Sequence, residues 1–145
     1  MGGTFTANKS IMVGGDGTGV VEVGPTGTLS AVSLVLTNNA YTAEGVAAAT
    51  LKFTFGADGV GMAAVTNLVV AEGSALVVDM RDYNLGDGGP SRIRLLKASG
   101  IEGDFAEADV ELLVDDERKA RNVRIVRGAG GIDVTMSRGT VMFVR

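Results

Sequence analysis

Apolar and polar residues alternate along much of this chain with a period of two. Leu51-Lys-Phe-Thr-Phe55 alternates cleanly, and Thr28 to Leu36 reads Thr-Leu-Ser-Ala-Val-Ser-Leu-Val-Leu. That period sends successive side chains to opposite faces, so each stretch is a strand with one buried side. Short β candidates precede these at Thr4–Thr6, Ile11–Val13 and Val20–Val23, and others follow at Ala64–Val70, Ala75–Met80 and Arg92–Lys97. The breaks between them carry turn chemistry. Gly24-Pro-Thr-Gly27 offers a proline whose φ is preset, Asp58-Gly59 is a strong local turn signal, and Glu72-Gly-Ser74 separates two strands. Ser99 to Gly103 reads as a further turn leading into Asp104 and Phe105.

Beyond Phe105 the pattern continues with more charge. Val110–Val114 is followed by an acidic and basic run, then by Asn122–Arg127, a glycine loop at Gly128–Gly131, Ile132–Met136 and Val141–Val144. Polar or glycine loops between short strands predict an antiparallel meander. Val46–Thr50 could form one helical turn, which is too short to stand alone. No stretch holds a long helical period, and no proline- or serine-rich linker divides the chain. The expectation is one β domain over residues 1–145, solenoid-like over 1–105, with antiparallel charged hairpins over 106–145. The runner-up architecture is a sandwich or jelly roll, which also suits many short strands.

Composition narrows the chemistry. The chain has 22 glycines, only 2 prolines, 5% aromatic residues and 46% hydrophobic residues. A core of small and β-branched side chains fits stacked β structure. The net charge of −4 argues against general nucleic-acid binding. Cysteine and histidine are both absent, which removes thiolate chemistry, disulfides, and the commonest general base and metal ligand. The start, Met1-Gly-Gly-Thr-Phe-Thr6, has neither the basic region nor the apolar run of an export signal.

Three groups of matches carry a family likeness. The first is Gly2 to Thr6 followed by the glycine-rich turn and strand from Ile11 to Val23. The second is Leu51 to Val60 with Leu76 to Tyr83, and the third is Ile93 to Phe105. Together they resemble the repeats and closing segment of bacterial autotransporter-like passenger regions, which are surface β-solenoids. The resemblance implies a right-handed parallel β-solenoid or the end of one. With the meander read from the C-terminal loops, the expected fold is a short right-handed parallel β-solenoid closing into an antiparallel C-terminal meander. It also implies residence on the exterior of a bacterial cell or, where the fold is adopted by a free-standing subunit, of a virus particle, as in phage decoration and fibre proteins.

Candidate sites are few. Gly14–Gly19 lacks the Lys-Ser/Thr and the following helix that a phosphate loop needs, so it reads as a turn. Asp16 sits in one copy of a motif that would need stacked copies to complete a calcium shell. No cluster of aromatic residues accompanies the acidic residues from Glu102 to Glu117 to stack on sugar rings. If Val110–Val114 and Asn122–Arg127 form a hairpin, Glu111 would lie across from Arg124, a modest cross-strand pair. The same charges could instead pair between subunits. The candidate contact surface is therefore Tyr41, in the polar Thr37–Gly45 loop, with Glu111, Arg118, Lys119, Arg121, Arg124 and Arg127. No catalytic residue, cofactor or metal ligand is assigned. The expected function is structural and non-enzymatic: self-association or docking onto a larger assembly, without nucleic acid or membrane insertion. The alternative is an adhesin-like module that binds a glycan or host surface.

Overall fold

The computed structural model describes residues 4–6, 10–13, 19–37, 49–57, 59–83, 92–114, 123–128 and 130–136. Within them the chain is all-β. It forms β1 (Thr4–Thr6), β2 (Ser10–Val13), β3 (Gly19–Val23), β4 (Thr28–Leu36), β5 (Ala49–Thr54), β6 (Met62–Val70), β7 (Ala75–Asp79), β8 (Arg92–Glu102), β9 (Val110–Leu113), β10 (Val123–Gly128) and β11 (Gly131–Met136). A single 3-10 turn at Glu107–Asp109 is the only helical element among the described residues.

The strands make two sheets. One is a 4-stranded sheet in the order β3-β5-β7-β9, and the other a 7-stranded sheet in the order β1-β4-β6-β8-β11-β10, with β2 also on β4. From β3 to β9 the chain alternates between the two sheets, so each sheet's consecutive neighbours are parallel. Parallel partners need a long crossover. Here each crossover is a strand of the other sheet.

Parallel register stacks like residues into columns. In the smaller sheet Val21, Leu51, Leu76 and Val110 are in line, as are Val23, Phe53, Val78 and Leu112. In the larger one Leu29, Ala63 and Leu96 align, and Leu34, Leu68 and Ile101 form another column. Val23, Phe53, Val78, Leu34 and Leu68 are buried, so these columns are the core. Burial of such side chains contributes about 1.5–3 kcal/mol each. Toward the ends of the stack Ile11, Val21, Ile101, Val110 and Leu112 are only partly buried.

The long strands carry a shared break. In β4 the buried positions are Leu29, Ala31, Leu34 and Leu36, so the alternation skips a residue at Val32. In β6 they are Ala63, Val65, Leu68 and Val70, with the same skip. The pairings jump from Ala31↔Val65 to Ser33↔Asn67, and from Val65↔Ala98 to Asn67↔Gly100. A shift in phase at the same height in three strands is a stacked bend, with Val32, Thr66 and Ser99 facing outward. It explains why Ser99–Glu102 is strand rather than the expected turn. Gly100 lies beneath Asn67, whose Oδ1 would be 3.2 Å from an added Cβ, so the glycine continues the column.

Turns stack as well. Gly27 N–H donates to the Gly24 carbonyl at 3.3 Å, and Gly61 N–H reaches the same carbonyl at 2.9 Å. A Cβ on Gly61 would lie 1.5 Å from the Gly27 oxygen, so only glycine permits this approach. The expected turns at Gly24–Gly27 and Glu72–Ser74 fall between strands, as does Gly59 of the expected Asp58-Gly59 turn, whose aspartate lies outside the described residues. The neighbouring strands shift by a residue or two at their ends. Tyr41, most of the Thr37–Gly45 loop, Val46–Ala48 and Val141–Val144 lie outside the described residues.

The C-terminal strands reverse direction. β10 and β11 form an antiparallel hairpin, with Gly128 opposite Gly131, and β11 lies antiparallel on β8 over Arg92–Lys97. The expected hairpin between Val110–Val114 and Asn122–Arg127 is corrected. β9 joins β7 in the smaller sheet, because Val110 and Leu112 extend the columns begun by Leu76 and Val78.

Candidate functional site

Most of the ion pairs found among the described residues involve β8, β10 or β11. Arg92 and Arg94 are two apart on β8 and so share a face, opposite the Asp133 region of β11. A register shift between Ile132 and Asp133 sets the carboxylate between them. Asp133 is buried, yet it is held by two cations. Arg92 Nε donates to Oδ2 at 2.6 Å, and Arg92 Nη2 also pairs with Oδ2. Arg94 Nε lies 2.5 Å from Oδ1. The Arg94 approach does not have hydrogen-bond geometry, so that contact is ionic. Arg94 Nη1 in addition donates to the Gly130 carbonyl at 2.7 Å, tying the hairpin turn to β8.

Arg127, near the end of β10, makes the next connection. Its Nη1 donates to the Phe105 carbonyl at 2.5 Å, and its Nη2 to Glu107 Oε1 at 2.6 Å. Asp104 Oδ1 lies 3.5 Å from Nη1. The guanidinium therefore joins the hairpin to the segment after β8. Between them lies a cavity of about 240 Å³ walled by Leu68, Val70, Ile101, Phe105 and Ile132, with Arg127 beside them.

A second ionic knot closes the end of β7. Asp79 is buried and accepts from its neighbour Arg81 three times: the backbone N–H at 3.1 Å, Nε at 2.9 Å and Nη2 at 2.7 Å. The hydrogen bond from the Arg81 side chain holds the Asp79 carboxyl below its ordinary range, against the opposing effect of burial. Around it Met80 is buried, and Tyr83 packs on Phe55 with ring centroids 5.0 Å apart.

The sequence candidates fare unevenly. Tyr41, Arg118, Lys119 and Arg121 lie outside the described residues. Glu111 is exposed on β9 beside Val77, while Arg124 is exposed on β10 beside Thr135, so the two are not cross-strand partners. Arg127 is engaged within the chain. Asp133 with Arg92 and Arg94 was not visible as a cluster, because its members meet through an antiparallel return of the chain. The only hints were two arginines at alternate positions and a lone aspartate inside an apolar strand. Among the described residues no group of three or more acidic side chains is placed to hold a metal ion. No helix there is long and apolar enough to cross a membrane.

The opposite end of the parallel stack exposes two large apolar side chains. Among the described residues β2 pairs only with β4, and β3 only with β5. Met12 on β2 is 64% exposed and Val20 on β3 is 63% exposed, the highest values among the large hydrophobic side chains described. Comparison with family models, curated proteins and solved structures found no match.

Proposed function

We propose that this chain is a non-enzymatic structural module of the β-solenoid kind, which self-associates or docks onto a larger assembly through its β2–β3 end. The parallel columns and the shared bend support a coiled path, in which β1–β3, β4–β5, β6–β7 and β8–β9 are successive turns. The general preference for right-handed crossovers between parallel strands favours a right-handed coil. Such a stack leaves strand edges and half-covered core rows at its ends, and these want a partner.

The observation that carries the docking reading is the exposure of Met12 and Val20 on neighbouring edge strands at one end. Apolar side chains beside strand edges that have no partner among the described residues combine hydrogen-bonding capacity with area to bury. A place on the exterior of a virus particle or a bacterial cell follows from the resemblance to surface solenoids and is part of the same proposal.

The test is assembly state. Light scattering and electron microscopy of the purified chain are expected to show defined oligomers, and the double change Met12→Lys, Val20→Lys to reduce them to smaller species. A strict monomer at high concentration, with no species to disrupt, would sink the self-association arm. Docking would then need co-assembly with a partner particle.

A further inference from the structure

We propose that the edge of β8 at the other end of the stack is a docking edge for a second copy of this chain, and that the β10–β11 hairpin keeps it closed. The proposal rests on the coiled reading above, but concerns the end that reading leaves aside.

Register identifies the place. Phe5 on β1 aligns with Leu29, Leu29 with Ala63, and Ala63 with Leu96. One further strand in that column would lie beside Leu96, on the side of β8 away from β6. In this chain the place is taken by Ile132 of β11, with Gly131 beside Lys97. A second copy, stacked in the same sense, would bring its own β1 to that position, its β2 beside Ile101 and Glu102, and its β3 beside β9. The two ends match in chemistry: partly buried Ile101, Val110 and Leu112 on one side, partly buried Ile11 and Val21 on the other. β11 runs antiparallel where the incoming β1 would run parallel. Its ladder bonds cannot be shared, so the hairpin must leave before a copy can stack.

The hairpin is fastened at points a stacked copy would not supply. Asp133 between Arg92 and Arg94 holds β11 to β8. The Gly130 carbonyl accepts from Arg94 Nη1 at 2.7 Å and from the Ala98 N–H at 3.1 Å. Gly131, at φ +144°, sits so close that a Cβ would be 1.9 Å from the Leu96 oxygen. Arg127 ties the far strand to Phe105 and Glu107. A hydrogen-bonded edge covered by a strand of opposite sense is a stop against edge-to-edge growth.

The experiment opens and relocks the hairpin. Asp133→Lys sets a third cation against Arg92 and Arg94. Amide exchange across Val123–Met136 is expected to accelerate at least about tenfold, and electron microscopy to show particles that lengthen with concentration. The triple change Asp133→Lys, Arg92→Glu, Arg94→Glu restores opposite charges and is expected to reverse both effects. The chain has no native cysteine. Ile93→Cys with Val134→Cys, at paired positions of β8 and β11, can therefore staple the Asp133→Lys variant shut when oxidised and release it when reduced. Lengthening only in the reduced form supports the proposal. An open hairpin without lengthening overturns it, as does lengthening with the hairpin stapled, or a hairpin that stays protected in Asp133→Lys. If Asp133→Lys loses its β-sheet circular dichroism, Arg94→Gln takes its place under the same criteria. A monomeric unaltered chain removes the self-association arm of the β2–β3 reading and leaves this proposal standing, because the closed hairpin already bars stacking there.

Discussion

Asp79 shows how one carboxylate closes the end of a strand. Its backbone carbonyl still serves the sheet, accepting from the Phe55 N–H at 2.8 Å, while its side chain turns back onto Arg81. The carboxyl is 8% exposed and the guanidinium 56% exposed, so the acid is buried and the base is wet. Because the Arg81 hydrogen bond lowers the folded-state pKa of Asp79, its contribution to stability is present above the ordinary carboxylate value near ~4 and is lost as pH falls through the lower folded value. Arg81→Met removes the largest lowering influence, the side-chain hydrogen bond. Only the backbone N–H of residue 81 and the more distant Lys52 charge are left to oppose burial, so the pKa rises. The expected outcome is an acid-unfolding midpoint moved to higher pH, followed by circular dichroism. An unchanged midpoint would mean that Asp79 is hydrated enough to ionise without its partner. In the segment from Leu76 to Tyr83, Asp79 is an ionic and turn anchor, and Met80 and Tyr83 are buried, Tyr83 against Phe55.

At the scale of elements, the clamp between β8 and β11 has an asymmetry that can be measured. Asp133 has a side chain 4% exposed, while those of Arg92 and Arg94 are 61% and 41% exposed. Removing the acid leaves two cations that can turn to water. Removing both bases leaves a carboxylate in the interface with nothing to balance it, a loss of about 3–5 kcal/mol for such buried charges. The double change Arg92→Ala, Arg94→Ala is therefore expected to cost more stability in urea than Asp133→Val does. Equal losses would show that the carboxylate finds water in the native state. The same elements mark where sequence reading reaches its limit. β4 was legible to the residue, because Leu29, Ala31, Leu34 and Leu36 stand among small and hydroxylated residues. The bend was not, because Val32 looks like core in a list of residues, and Ser99-Gly100 looks like a turn. Both are decided by the strand lying next to them. β9 was found as a strand but given the wrong neighbour. Proximity along the chain favours Asn122–Arg127, whereas the apolar columns of Leu76 and Val78 lie on β7, with the whole of β8 between them in the chain. Parallel partners leave no local mark on a sequence, and neither does the meeting of Asp133 with Arg92 and Arg94. Of the sites, the hairpin strands and their charge were readable, but not which charges meet.

For the whole molecule, stacking predicts a gradient of stability along the parallel stack. Each strand in the middle has a neighbour on both sides: β5 lies between β3 and β7, and β6 between β4 and β8. Their inward residues Leu51, Phe53, Ala63 and Leu68 are fully or almost fully buried. At one end β2 and β3 have one partner each among the described residues, and at the other β9 has only β7. Structures built from units that mainly touch their neighbours lose order from the ends, because a terminal unit gives up one interface while an inner unit gives up two. Native-state amide exchange is therefore expected to be slowest in β5 and β6 and faster in β3 and β9. β8 is a discriminating case. Its Arg92–Lys97 half is covered by β11, and its Ile101–Glu102 end is not. If the hairpin acts as a cap, exchange should be slower in the first half than in the second, within one continuous strand. Uniform protection from β3 to β9 would instead mean that the two sheets open together as one cooperative unit. End strands would then be as secure as inner ones, and the case for an end that needs a partner would fall with the gradient.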